Sequence, residues 1–81
     1  MFTVYVLYSD SLQKRYIGFT NNINARLKAH NHPQNRGFTK RGQPWQLVYT
    51  EVFESKNDAM AREKWFKTGT GRRYLDNFKR Q

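Results

Sequence analysis

The chain has no cysteine. That absence excludes a disulfide framework, a cysteine nucleophile and a cysteine-ligated zinc site, and it agrees with a reducing compartment. No apolar run approaches the ~20 residues of a membrane span, and Met1 runs straight into strand-like sequence with no secretory leader. The expectation is a cytoplasmic protein that does not engage a membrane. Acidic residues are scarce as well. Six Asp and Glu face 15 Lys and Arg, a formal net charge of +9 over 81 residues. A field of one sign on so small a body points to a polyanion, and nucleic acid is the commonest one. Proline and glycine are few and uneven: both prolines and two of the five glycines fall in residues 32–44, which read as a loop. Large rings are what the chain does have. Aromatics make up 16% and hydrophobic residues 37%, enough for one small domain over residues 1–81.

Residues 2–8 alternate β-branched and aromatic side chains: Phe2, Val4, Val6 and Tyr8 on one face, Thr3, Tyr5 and Leu7 on the other. A polar turn at 9–14 and a second short strand at 15–19 complete an antiparallel hairpin. Thr20, Asn21 and Asn22 offer caps for a helix running to about residue 31. Trp45–Phe53 reads as a third strand. Ser55, with Asp58 three residues on, starts a second helix that the glycines at 69 and 71 should stop near residue 68. Residues 72–81 could close the chain as a short helix with Tyr74, Leu75 and Phe78 on its apolar side. The resulting order is β-β-α-β-α-α, an α+β fold with helices packed on a small antiparallel sheet.

Two helices carry polar groups where a core should be. At ~100° per residue, Glu63 lies about 40° from Ala59, inside the stripe formed by Ala59, Met60 and Phe66. An unpaired carboxylate there is costly, so it needs a cation, a set of donors or a wet cleft. An ion pair with a nearby arginine, or a rotated helix, would meet that need without any function. In the first helix Arg26 and His30 sit one turn apart at the border of the Ile23–Leu27 stripe. A guanidinium there can hold a phosphate through two parallel hydrogen bonds, or simply pack its stem. In the hairpin, Gly18 within a strand is a weak flag for close approach of another group.

Tyr5 within TVYVL, the run Tyr16-Ile17-Gly18, Arg26 ten residues after Tyr16, then His30 and Glu63, occur in an order and register that resembles the GIY-YIG nuclease domain, most of all its short stand-alone bacterial members. Thr3 and Val4 stand where the first motif has glycine and isoleucine. The resemblance implies phosphodiester hydrolysis in nucleic acid, DNA ahead of RNA, with one Mg²⁺ or Mn²⁺ ion on Glu63. It implies catalytic roles for Tyr5, Tyr16, Arg26, His30 and Glu63, with Asn77 as a weak match to a late asparagine, and a structural role for Gly18. Tyr5 would take a proton from the attacking water, Arg26 would bind the scissile phosphate, and Tyr16 and His30 would order the water and hold Tyr5. Such a chain, without appended targeting domains, would act as a monomer and take its targeting from nucleic-acid structure or a protein partner.

Arg36, Lys40, Arg41, Lys64, Lys67, Arg72 and Arg73 would track phosphates whether or not the protein cuts. A non-catalytic basic nucleic-acid-binding module is therefore the rival reading, with Phe38, Trp45 and Trp65 as candidates to stack on bases. A basic protein docking on an acidic protein or on ribosomal RNA is a third. Glu63 tells against a pure binder, because without a metal its charge would repel the phosphate.

Overall fold

The computed structural model describes residues 1–34 and 38–78, without the side chains of 38, 39 and 78. Strands β1 (Phe2–Ser9) and β2 (Lys14–Thr20) form the expected hairpin, followed by helix α1 (Ile23–His30), strand β3 (Trp45–Phe53), and helices α2 (Lys56–Phe66) and α3 (Gly69–Leu75). The order is β-β-α-β-α-α, as the patterning indicates. The sheet order is β2-β1-β3, antiparallel throughout. β1 is thus the central strand. Its burial is continuous from Val4 to Ser9 instead of alternating, because both sheet faces are covered. Val4 and Val6 pack with Ala59, Phe66 and Leu75 under α2 and α3. Tyr5 and Leu7 pack with Trp45 under α1, where Ile23 and Leu27 close over them.

Each helix starts on a side-chain cap. Asn22 accepts from Ala25 N–H, Ser55 from Asp58 N–H and Thr68 from Gly71 N–H. The end of α1 is tied to the start of β3 by a reciprocal pair. Asn31 Nδ2 donates to Trp45 O at 3.0 Å, and Trp45 N donates to Asn31 Oδ1 at 2.6 Å. Gln43 adds two more ties, donating to the carbonyls of His30 and His32, each at 2.7 Å. These bonds tie both ends of the 32–44 stretch, and Phe38–Gly42 turns as a 3-10 helix.

The last third of the chain departs from the expectation. α2 ends at Phe66, and α3 begins at Gly69 instead of residue 72, so Gly69 and Gly71 lie inside a helix. The reason is a close crossing. A Cβ on Gly71 would stand 2.1 Å from the carbonyl oxygen of Trp65, so only glycine lets α3 rest on the end of α2. A short 3-10 turn, Asp76–Phe78, follows α3. The expected helix over 72–81 is thus displaced toward the N-terminus, and residues 79–81 lie outside the described ones.

Candidate active site and its groove

Tyr5 on β1 stands directly opposite Gly18 on β2. A Cβ at position 18 would lie 2.7 Å from Tyr5 Oη and 2.9 Å from Cζ, so the bare glycine backbone is what lets the phenol lie across β2. The Tyr16 ring, two residues earlier on the same face, stacks beside it at 6.3 Å between centroids. His30, at the last turn of α1, closes the group. Its ring centre is 4.7 Å from that of Tyr16, and its Nε2 is 3.0 Å from Tyr5 Oη in a buried hydrogen bond. Three residues from three elements therefore meet at the β2 side of the sheet.

The electrostatics follow from burial. Tyr5 is pushed up to about 12, first by loss of water, then by Tyr16; the nearby Glu63 charge adds to this and the Arg26 charge opposes it. His30 is pushed below its usual value by burial and then by Arg26. At neutral pH both partners are uncharged, and the imidazole tautomer decides the direction: Nε2 accepts the phenol proton in one tautomer and donates to Tyr5 Oη in the other. Arg26 and Glu63, of opposite sign and from opposite helices, are both close enough to act on Tyr5. Glu63 is partly sheltered, and one carboxylate oxygen meets Lys67 Nζ at 3.4 Å across one turn of α2. Among the described residues no three His, Asp or Glu side chains converge. The donor set for a cation is one carboxylate. That fits a hard ion held chiefly by water and substrate oxygens, and does not fit a protein-caged metal.

An open groove of about 710 Å³ leads away from Tyr16, between the start of β2 and the α2–α3 junction. Lys14, Arg15, Lys67 and Arg72 line it. Of the basic residues expected to track phosphates, Lys67 and Arg72 belong to this groove. Lys40, Arg41, Lys64 and Arg73 are exposed elsewhere on the surface, and Lys40 is tied to the Pro33 carbonyl at 2.8 Å. Arg36 lies outside the described residues. Asn77 is exposed on the turn after α3. Trp45 does not offer a stacking face. It is 2% exposed and packs edge-on to Tyr16. Trp65 is engaged by the Arg62 guanidinium, 4.4 Å above its ring, and the Phe38 side chain is among those not described.

The sequence matches a known family. The model of the GIY-YIG catalytic domain matches residues 1–75. The chain belongs to the GIY-YIG family. Its relatives include a UPF0213 protein of Limosilactobacillus reuteri, 42% identical over 71 residues, covering 85% of this chain and 73% of that protein. A UPF0213 protein of Staphylococcus aureus is 40% identical over 60 residues, covering 74% of this chain and 73% of that protein. The solution NMR structure of a UPF0213 protein from Bacillus halodurans covers 98% of this chain and 86% of its own, at a TM-score of 0.57 and 29% identity. The fold is therefore that of a GIY-YIG domain, shared with UPF0213 proteins of bacteria.

Two features lie beyond the motif residues. On the opposite sheet face Glu51 accepts from Arg62 Nε at 2.8 Å and Nη2 at 3.1 Å, and from the Tyr49 hydroxyl. Arg62 holds this carboxylate below its usual range, against the upward pull of burial. The signal was present in the sequence: Arg62 borders the Ala59–Phe66 stripe at about 60° on the side away from Glu63, as ~100° per residue requires. The second is the pair Lys14 and Arg15, whose place in the groove depends on where α3 comes to rest.

Proposed function

We propose that this GIY-YIG domain is a metal-dependent endonuclease that hydrolyses phosphodiester bonds in nucleic acid, DNA ahead of RNA, with one Mg²⁺ or Mn²⁺ ion. The observation that carries the reading is the buried Tyr5–His30 hydrogen bond, with the charges of Arg26 and Glu63 close enough to act on Tyr5. Glu63 would hold the cation, which when bound supplies charge stabilisation at the leaving oxygen. The chain's own residues do the rest.

A phenol with its pKa near 12 is a poor base while it keeps its proton. In the tautomer whose Nε2 is unprotonated, Tyr5 can hand that proton on to His30. As the attacking water gives a proton to Tyr5 Oη, the phenol's own proton passes to His30 Nε2 and the water oxygen bonds to phosphorus. The bond from phosphorus to the leaving ester oxygen breaks, that oxygen taking a proton from solvent while His30 later returns its own to water. The resulting imidazolium is disfavoured in the free protein by burial and by the Arg26 charge. When Arg26 takes the scissile phosphate, its charge is neutralised and the added anion favours His30 protonation. The relay is thus switched on by substrate. Tyr16 packs on both rings and holds the pair in line.

The domain acts as a monomer in the cytoplasm and takes its targeting from substrate structure or a protein partner. Incubating the purified protein with Mg²⁺ or Mn²⁺ and a panel of single-stranded, duplex, flapped and branched DNAs plus RNA tests the reading. Metal-dependent cleavage supports it. Binding with no cleavage across the panel makes the non-catalytic binding module the better account.

A further inference from the structure

The groove beside Tyr16 is more selective than a diffuse positive surface. Of its four cations, Arg15 is already used: its Nη1 meets Asp76 at 2.9 Å and its side chain is 17% exposed, so it serves as wall. Lys14 and Arg72 are exposed and line the groove from its two sides, β2 and α3. Lys67 stands between the groove and the site. It lines the groove, yet its Nζ is 3.4 Å from Glu63, the carboxylate proposed to hold the cation. Ion pairs of this (i, i+4) kind are weak and readily broken. The lysine is 54% exposed and the carboxylate 19%, so the lysine is the partner free to move.

We infer that Lys14, Lys67 and Arg72 form a track for the backbone phosphates on one side of the scissile bond, and that Lys67 exchanges between Glu63 and that track. The inference rests on the nuclease reading for the role of Glu63, though the track itself does not. Without substrate, the Lys67 ammonium covers Glu63 and competes with a metal ion. A polynucleotide strand laid in the groove draws Lys67 onto its phosphates and uncovers the carboxylate. Metal and strand then bind cooperatively, because each withdraws one partner of the same ion pair. Contacts of this sort read the backbone and carry no base preference.

The track is tested with the full chain in EDTA, by fluorescence anisotropy of a labelled oligonucleotide over a salt series. Lys14→Ala, Lys67→Met and Arg72→Ala should each weaken binding roughly three- to ten-fold and make the slope of log affinity against log salt shallower by about 0.7–0.9. Lys56→Ala removes the same charge eleven residues earlier on α2, about 16 Å along the helix, and should change the slope much less. Equal effects at all four positions would overturn the track. The exchange is tested by Mn²⁺ binding to the free protein, read by electron paramagnetic resonance. Lys67→Met should bind Mn²⁺ about two- to five-fold tighter, and Lys67→Arg should restore both the ordinary Mn²⁺ affinity and the salt slope. Mn²⁺ affinity unchanged or weakened in Lys67→Met would overturn the exchange, with thermal melting showing that the variant is folded. A wild type that binds through these residues but cuts nothing leaves the track standing and removes the nuclease reading.

Discussion

Gly18→Ala separates two opposing effects by sign. Alanine in place of glycine within a strand should stabilise a protein by about 0.5–1 kcal/mol, because it reduces the freedom of the unfolded chain. Here the added methyl would stand 2.7 Å from Tyr5 Oη, 2.9 Å from Cζ and 3.3 Å from Tyr16 Cε1. A flexible side chain could yield, but Tyr5 is 2% exposed and its hydroxyl is held by His30. Overpacking of a filled site costs about 1–3 kcal/mol, and displacing the phenol also strains or breaks a hydrogen bond worth about 1 kcal/mol. The clash should therefore win, with a net loss of about 1–3 kcal/mol, or several degrees in melting temperature for a domain of this size. Urea unfolding followed by tryptophan fluorescence suits the measurement, since Trp45 is buried against Tyr16. Tyr5→Phe removes the atom in closest conflict, so the double variant should recover part of the loss in a double-mutant cycle. A Gly18→Ala protein as stable as wild type or more so, with the His30 ring resonances unmoved in NMR spectra, would refute the seating of Tyr5 on Gly18.

Glu63→Gln should abolish cleavage with nucleic-acid binding unchanged or slightly tighter, whereas Arg26→Ala should lower both; gel-shift and cleavage assays on one substrate separate the two, and equal cleavage by Glu63→Gln would remove the metal role. His30 has its folded pKa below the unfolded value near 6.5, so the unfolded chain binds more protons beneath that pH, and stability should fall as pH drops below about 6.5. His30→Gln should flatten that limb of a denaturation series. Tyr5 works at the other end: its folded value of about 12 lies above the unfolded value near 10. Stability should decline as pH rises from 10 toward 12, a loss made smaller in Tyr5→Phe, with the remainder coming from Tyr49, whose phenol is also pushed up by burial and by its bonds to Glu51 and Tyr74. Gly71→Ala should destabilise by about 3 kcal/mol or more, because the new methyl meets backbone at 2.1 Å. Gly69→Ala has nothing within 4 Å and should stabilise by about 0.5–1 kcal/mol. A reversed order of the two glycine variants in thermal melts would contradict the α2–α3 crossing.

The local code of this chain is legible without coordinates. Strand alternation in residues 2–8, the caps Asn22 and Ser55, the bounds of β3 and the β-β-α-β-α-α order all rest on contacts between near neighbours, which periodicity records. The order of Tyr5, Tyr16-Ile17-Gly18, Arg26, His30 and Glu63 likewise points to one family before any distance is known. What near neighbours do not record is which distant groups meet. Gly69 and Gly71 look like helix breakers in sequence, yet they belong to α3, because the decisive contact is a carbonyl of another helix. Trp45 looks available for stacking until α1 and Tyr16 close over it. Arg62 and Glu63 are consecutive and border one apolar stripe. Only the tertiary structure assigns Arg62 to Glu51 on β3 and leaves Glu63 with Lys67 at the mouth of a groove. A 3.0 Å bond between residues 5 and 30 depends on how a helix rests on a sheet. That placement is settled by the packing of side chains from every element at once, and no periodicity along the chain encodes it.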